Sequence, residues 1–315
     1  MIDLRALGFG PTQLRAWASA GSIPDLRRGY DQLWARPVTN TASALLAVFA
    51  AGRQIGRALV PPLGELDDLL EGDGAYVRAR VAILPIAARH GASFVVCDRL
   101  DANGIETVCW PDDSSAHLTA AIPPGRRDTW LDLGCGSAPA QLAHPEYAHR
   151  LVASDLNPRA LSYAALGARL SRIAHLEPLH GDLANVHAEL ITCNAPIPAQ
   201  PGLPSAGPLW TSTDPDFVAR LLETAHGALL AGGTIVVHAA LDALLRALSL
   251  RGPSAGEVVV VAYTPAGEPR EFAVAWWRPD AAPCRVLARR VLTPARPHLD
   301  HTDREAALAG TLSLL

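Results

Sequence analysis

An apolar run, Trp130-Leu131-Asp132-Leu133, breaks at Gly134-Cys135-Gly136-Ser137-Ala138, and a second run, Val152-Ala153-Ser154, stops at Asp155. A buried parallel strand that ends in Gly-x-Gly has few ways to continue. The glycines permit a sharp turn at positive φ, and they let a ligand approach without meeting a Cβ. The second run sets a carboxylate at a strand's carboxyl end, where it can accept both hydroxyls of a ribose. Together they predict an open α/β sheet built to hold a nucleoside-containing cofactor.

The rest of the chain fits that prediction. Pro123-Pro124-Gly125-Arg126-Arg127 reads as a linker, and strands and helices alternate after it. Strands are predicted over Thr129–Leu133, Leu151–Asp155, Leu176–His180, Leu190–Asn194 and Thr234–His238. A short helix follows the first strand and must end at Pro145, and longer helices are predicted over Pro158–Ile173, Pro215–Leu230 and Leu241–Leu250. This alternation implies a parallel sheet covered on both faces. The last two strands, Val258–Tyr263 and Glu271–Trp277, are joined by Thr264-Pro265-Ala266-Gly267-Glu268. That link is too short for a crossover, so this pair is antiparallel. Residues 1–122 form a smaller α+β unit before the 126–315 domain. Helical spacing over Thr41–Ala51 and Leu63–Leu70, then strands over Ala75–Pro85 and Ala92–Cys97, give a winged-helix order. Glu65, Asp67, Asp68 and Glu71 on its second helix would repel phosphates, so the unit reads as a lid facing substrate or partner.

Composition narrows the classes. With 315 residues, 49% hydrophobic and 18% charged, the chain can bury a full core and is not disordered. Its net charge of −4 gives no general attraction for nucleic acid, although all 27 basic residues are Arg. Cys97, Cys109, Cys135, Cys193 and Cys284 are scattered, which suits reduced thiols better than disulfides or zinc. Eleven histidines show no ligand spacing, and no metal site is expected. The most apolar stretch, Ala42 to Val60, is interrupted by Arg53, Gln54 and Arg57, so no membrane span is expected and a cytoplasmic location is. Oligomeric state is not readable.

Four ordered motifs resemble those of class I S-adenosylmethionine-dependent methyltransferases, in the branch with a "methyltransferase small" domain. The resemblance covers about residues 126–280. It implies a Rossmann-like sheet, parallel but for one antiparallel strand at the C-terminal hairpin, and S-adenosyl-L-methionine as cofactor. Asp132-Leu-Gly134-Cys135-Gly136 matches the D-x-G-x-G loop, with Gly136 beneath the cofactor and Asp132 at its amino-acid end, directly or through water. Asp155-Leu156-Asn157-Pro158 matches the acidic strand end, and Gly181-Asp182-Leu183 the loop bordering adenine. Asn194-Ala195-Pro196-Ile197 matches the N-P-P-Y active-site motif. A nicotinamide-binding turn would share Gly-x-Gly, but Asp132, Ala138 and the terminal hairpin favour the methyltransferase.

The Asn194 motif sets the chemistry that the resemblance implies. The Asn side-chain oxygen and the Pro196 carbonyl would accept the hydrogens of a nitrogen and aim its lone pair at the methyl group. Asn194 and Pro196 are therefore the expected catalytic residues. Ala195 and Ile197 depart from the motif, and losing the ring at 197 removes a base-stacking surface worth ~1–3 kcal/mol. The acceptor reads as nitrogen on a protein side chain or small metabolite. Two alternatives stay open: an rRNA or other nucleic-acid base N-methyltransferase, and a non-catalytic cofactor-binding protein. Trp210 would either replace the missing platform or pack under its loop. His238 would be a general base or a core residue. Trp276 and Trp277 should point to opposite faces of their strand. The tail from Arg285, with Arg289-Arg290 and Arg296, reads as solvated surface or a contact for an acidic partner.

Overall fold

The strands that build the centre of the molecule are Val-, Ile- and Ala-rich runs with apolar residues on both faces, and such strands are stable only when covered twice. In the computed structural model, residues 2–181, 186–198, 209–250, 256–265, 267 and 269–315 are described. The central strands are β1 (Arg127–Leu133), β2 (Ala148–Asp155), β3 (Leu176–His180), β4 (Ala188–Asn194), β5 (Leu229–Ala240), β6 (Glu257–Tyr263), β7 (Phe272–Arg278), β8 (Cys284–Arg289) and β9 (Ser313–Leu314). They form one sheet in the order β9-β8-β6-β7-β5-β4-β1-β2-β3. β7 runs antiparallel between β5 and β6. The pairs β3-β2, β2-β1, β1-β4, β4-β5 and β6-β8 are parallel. This is the Rossmann-like methyltransferase sheet that the motifs imply, except that a second strand, the short β9, also runs antiparallel, beside β8. From β1 the chain steps outward through β2 and β3, then returns to the other side of β1 at β4. The carboxyl ends of β1 and β4 thus flank the topological switch point, where such sheets bind ligands.

Each face has its own core. Helices Phe217–Ala228 and Leu241–Leu250 bury Leu222 and Leu244 against Ile235, Val237, Val258 and Trp277. The other face, with Trp276, is continuous with the N-terminal residues. The two tryptophans do face opposite ways. Phe9 stacks on Phe94 at 5.9 Å and meets Phe49 edge-on at 6.2 Å, in the same cluster as Leu142, Ala160 and Ala164. The N-terminal residues form helices Pro11–Ala18, Ile23–Arg28, Tyr30–Leu33 and Thr41–Leu45, the last continuing as a π turn over Leu46–Ala50. A hairpin, Val81–Ala88 with Gly91–Asp98, then lies against helix Pro158–Ser171. The contact is close: the Phe94 N–H donates to Ser171 Oγ at 2.8 Å, and a Cβ on Gly167 would stand 2.7 Å from the Phe94 carbonyl oxygen.

Three expectations change. Residues Gly64–Leu69 are 3-10 turns instead of the helix predicted over Leu63–Leu70. Asp67 explains this, because it accepts from the Leu63 N–H and from Arg57 (2.9 Å each), local bonds that compete with helical ones. The strand predicted over Ala75–Pro85 is two, Tyr76–Ala79 and Val81–Ala88, divided at Arg80. The tail is solvated at Arg285, Arg289 and Arg296, as expected, but it also carries a strand and a buried ion pair. β8 extends the sheet beside β6, pairing Val286 with Val259 and Ala288 with Val261. Arg290 and Asp303 form a buried ion pair, 6% and 0% exposed, and Arg290 also donates to the His298 and Arg296 carbonyls. Arg289 pairs with Glu271.

Candidate active site

The loop after β1 is shaped by positive φ. Gly134 and Gly136 sit at +64° and +55°, and a Cβ added to either would meet nothing within 4 Å. The space over the loop is open to a ligand, and backbone conformation is what requires glycine there. Asp155, at the end of β2, accepts from the Gly136 N–H through Oδ2 and from the Asn157 N–H through Oδ1, at 2.8 Å each. The predicted ribose acceptor therefore touches the predicted cofactor loop. Next to it Leu156 is 75% exposed, an apolar surface beside the place where a nucleoside base would lie. Asn157 caps the following helix, accepting from the Arg159 N–H at 3.0 Å. Asp182 and Leu183 lie outside the described residues.

Asp132 is 3% exposed, so its side chain lies beneath the loop and not on the open surface. Thr192 Oγ1 donates to it at 2.6 Å and accepts from Trp130 Nε1 at 2.7 Å. Burial pushes its pKa up to about 7; Thr192 opposes the rise and Asp155 adds to it. Cys135 is buried, and burial raises its thiol pKa well above the ordinary range.

Across the switch point, Asn194 ends β4. The Ala195 N–H donates to the His238 carbonyl at 2.9 Å, and the Ile197 N–H to the Trp210 carbonyl at 3.0 Å. Pro196 is half-buried between them. Asn194 Nδ2 donates to Ser114 Oγ at 2.7 Å, and its Oδ1 lies 3.0 Å from His238 Nδ1. His238 Nε2 lies 2.9 Å from the Tyr263 hydroxyl. His238 is 2% exposed, and burial lowers its pKa to about 4. So buried, it is a core histidine and faces no open space, which is the reason it does not suit the general-base alternative. Trp210 is 38% exposed, and its carbonyl accepts from the motif's Ile197 N–H; most of the loop before it lies outside the described residues.

Sequence reasoning assigned no role to Ser114, Ser115, Asp112 or Tyr263. The run Asp112-Asp113-Ser114-Ser115 signals a helix start, and Asp112 does cap helix Asp113–Ala121. Nothing local shows that this helix reaches Asn194, 80 residues further on. Among the described residues no group of three or more His, Cys, Asp or Glu could hold a metal ion, and no helix is long and apolar enough to cross a membrane. A cavity of about 780 Å³ among Arg89, Arg126, His144 and Glu146 lies near the amino ends of β1 and β2, away from this site.

The sheet order and the glycine loop are those of a class I methyltransferase fold, and the Asp155 contact ties the loop to the end of β2. No protein-family model matches the chain, and no curated protein sequence matches it. Solved structures resemble it. The M. jannaschii tRNA m1G37 methyltransferase is 14% identical with a TM-score of 0.45, over 64% of this chain and 60% of that one. A Geobacter metallireducens precorrin-6y C5,15-methyltransferase is 16% identical, with a TM-score of 0.36 over 52% and 87%. A ribosomal protein L11 methylase from Lactobacillus delbrueckii subsp. bulgaricus is 18% identical, with a TM-score of 0.37 over 52% and 76%. The chain spans about 60% of the length of the first of these. At such identities the likeness bears on the course of the backbone alone, and function has to be argued from the site.

Proposed function

We propose that this protein is an S-adenosylmethionine-dependent methyltransferase whose acceptor is a nitrogen on a protein side chain or small metabolite. The observation that carries the reading is the Gly136–Asp155 contact beside a switch point whose opposite wall is Asn194. The residues fit the cofactor. The open space over Gly134 and Gly136 admits its amino-acid part, Asp155 keeps lone pairs for ribose hydroxyls, and Leu156 offers an apolar face to adenine. When bound, the cofactor supplies an activated methyl group on a sulfonium.

The protein's task is then alignment. Asn194 Oδ1 accepts from His238 and retains one lone pair for an acceptor N–H, and the Pro196 carbonyl can take a second. Such positioning supports up to ~7–11 kcal/mol of barrier lowering. The Trp210 backbone is tied to the motif that lacks its aromatic residue and its side chain is 38% exposed, which supports its use as the substrate platform.

Calorimetric titration of S-adenosylhomocysteine, and separately of NAD, into wild type and Asp155→Ala tests the cofactor. Binding of the former that weakens at least about tenfold in the variant is expected, since hydrogen bonds to a charged group are lost. NAD binding instead would sink the reading. For the acceptor, Asn194→Ala should abolish turnover while cofactor affinity stays within a few-fold. Unchanged turnover would remove the nitrogen argument. The nucleic-acid alternative predicts acceptor affinity that falls steeply with salt.

A further inference from the structure

Five side chains from separate stretches of the chain meet in a line through the crevice wall. Ser114 Oγ is 2.5 Å from Asp112 Oδ1, and Asn194 Nδ2 is 2.7 Å from Ser114 Oγ. Asn194 Oδ1 is 3.0 Å from His238 Nδ1, and His238 Nε2 is 2.9 Å from the Tyr263 hydroxyl. Hydrogen positions along such a line are normally ambiguous, because an amide, an imidazole and two hydroxyls can all be turned around. Here one end removes the ambiguity. A carboxylate only accepts, so Ser114 commits its single proton to Asp112 and can only accept from Asn194. That turns the Asn194 NH₂ toward Ser114 and its oxygen toward His238. The oxygen needs a donor, so the proton of the neutral imidazole sits on Nδ1. Nε2 is then bare and accepts from Tyr263. Reversing any link would set two hydrogens or two lone pairs against each other, at links that are half-buried from Asp112 to His238 and fully buried at Tyr263.

We propose that Asp112, acting through Ser114, sets the amide orientation of Asn194, and that His238 and Tyr263 hold it from the other side as positioning residues. The role for methyl transfer rests on the reading of Asn194 as the acceptor-binding residue. Its consequence is specific. Of the two lone pairs on Asn194 Oδ1 one is spent on His238, so the site offers an incoming acceptor one N–H-binding direction from this side chain. A flipped amide would turn hydrogens that way and repel the N–H. Burial supports the arrangement by keeping His238 neutral.

The test reads the His238 tautomer in the full chain, by long-range nitrogen–proton NMR with ¹⁵N-histidine at pH 7, its signal identified by disappearance in His238→Gln. The Nδ1–H form is expected in at least about tenfold excess, against the usual Nε2–H preference of free imidazole. Asp112→Asn preserves a good helix N-cap but gives Ser114 a neighbour that can donate. The second tautomer should then appear at His238, although position 112 makes no hydrogen bond to it and reaches it directly only through its charge. Ser114→Ala, which breaks the line without altering the cap residue, should do the same. A wild-type His238 in the Nε2–H form overturns the proposal, as does a tautomer ratio unchanged in both variants. S-Adenosylhomocysteine titration of the same samples separates the two readings. Absence of binding would sink the cofactor assignment and leave the NMR result to decide the relay.

Discussion

At the scale of single residues, Asp132 is the carboxyl group that burial moves furthest from its ordinary range. Burial brings its pKa up to about 7, so at neutral pH it is divided between acid and carboxylate. An S-adenosyl cofactor carries an ammonium group at the end that Asp132 would serve, and a cation favours the carboxylate. Binding should therefore expel a proton below pH 7. Affinity for S-adenosylhomocysteine is expected to rise between pH 6 and 8, approaching about tenfold per unit on the acid side and levelling above 7. Calorimetry in two buffers of different ionisation enthalpy counts the proton, and Asp132→Asn should flatten the dependence. A flat wild-type profile would place the ammonium elsewhere.

Elements show where close packing sets limits. A Cβ on Gly167 would stand 2.7 Å from the Phe94 carbonyl and 3.0 Å from Leu142 Cδ1, and backbone cannot swing aside. Gly167→Ala gains ~1 kcal/mol of helix propensity. Overpacking costs ~1–3 kcal/mol, and the variant should be less stable in urea denaturation. The buried Arg290–Asp303 pair gives a larger effect. Asp303→Ala strands a guanidinium in the interior, and a loss of ~3–5 kcal/mol is expected by the same measurement. These two elements also mark the limit of what the amino-acid order displays. The glycine loop, the β1–β7 strands and the reversed β7 were legible because each depends on a local pattern: an apolar run, a turn, or a link too short to cross over. β8 was not, since Arg285 and Arg289 dilute its alternation and only the partner β6 makes a strand of it. Arg290 looked solvated because its partner Asp303 is supplied by a later helix. Ser114 reaches the site only through the packing of its helix. His238 was seen at a strand end, but its lack of exposure was not.

For the whole molecule, the buried titratable groups set how stability responds to acid. His117 and His238 are pushed by burial to about 2 and about 4 from an ordinary 6.5, while Asp132 is raised to about 7 from 3.8. Between pH 6.5 and 4 the unfolded chain binds two protons at these histidines that the folded chain does not. The folded chain binds one at Asp132 that the unfolded chain does not. His144 and His298, both lowered by burial, act in the same direction as the first two. The net sign is that stability falls as pH falls through this window, by about 1.4 kcal/mol per unit for each net proton. Urea denaturation at pH 7.5, 6 and 5 checks this, and His117→Gln, which keeps an acceptor for the Leu299 N–H, should make the slope shallower. The line from Asp112 to Tyr263 also has a consequence for synthesis. Ser114 leaves the ribosome 80 residues before Asn194, and Tyr263 follows His238 by 25 more. At ordinary translation speeds the helix that orients the reaction centre waits on the order of ten seconds for its last partner. The line of hydrogen bonds at Asn194 is thus complete only long after the glycine loop has been made, and a product terminated before Tyr263 would hold that loop without it.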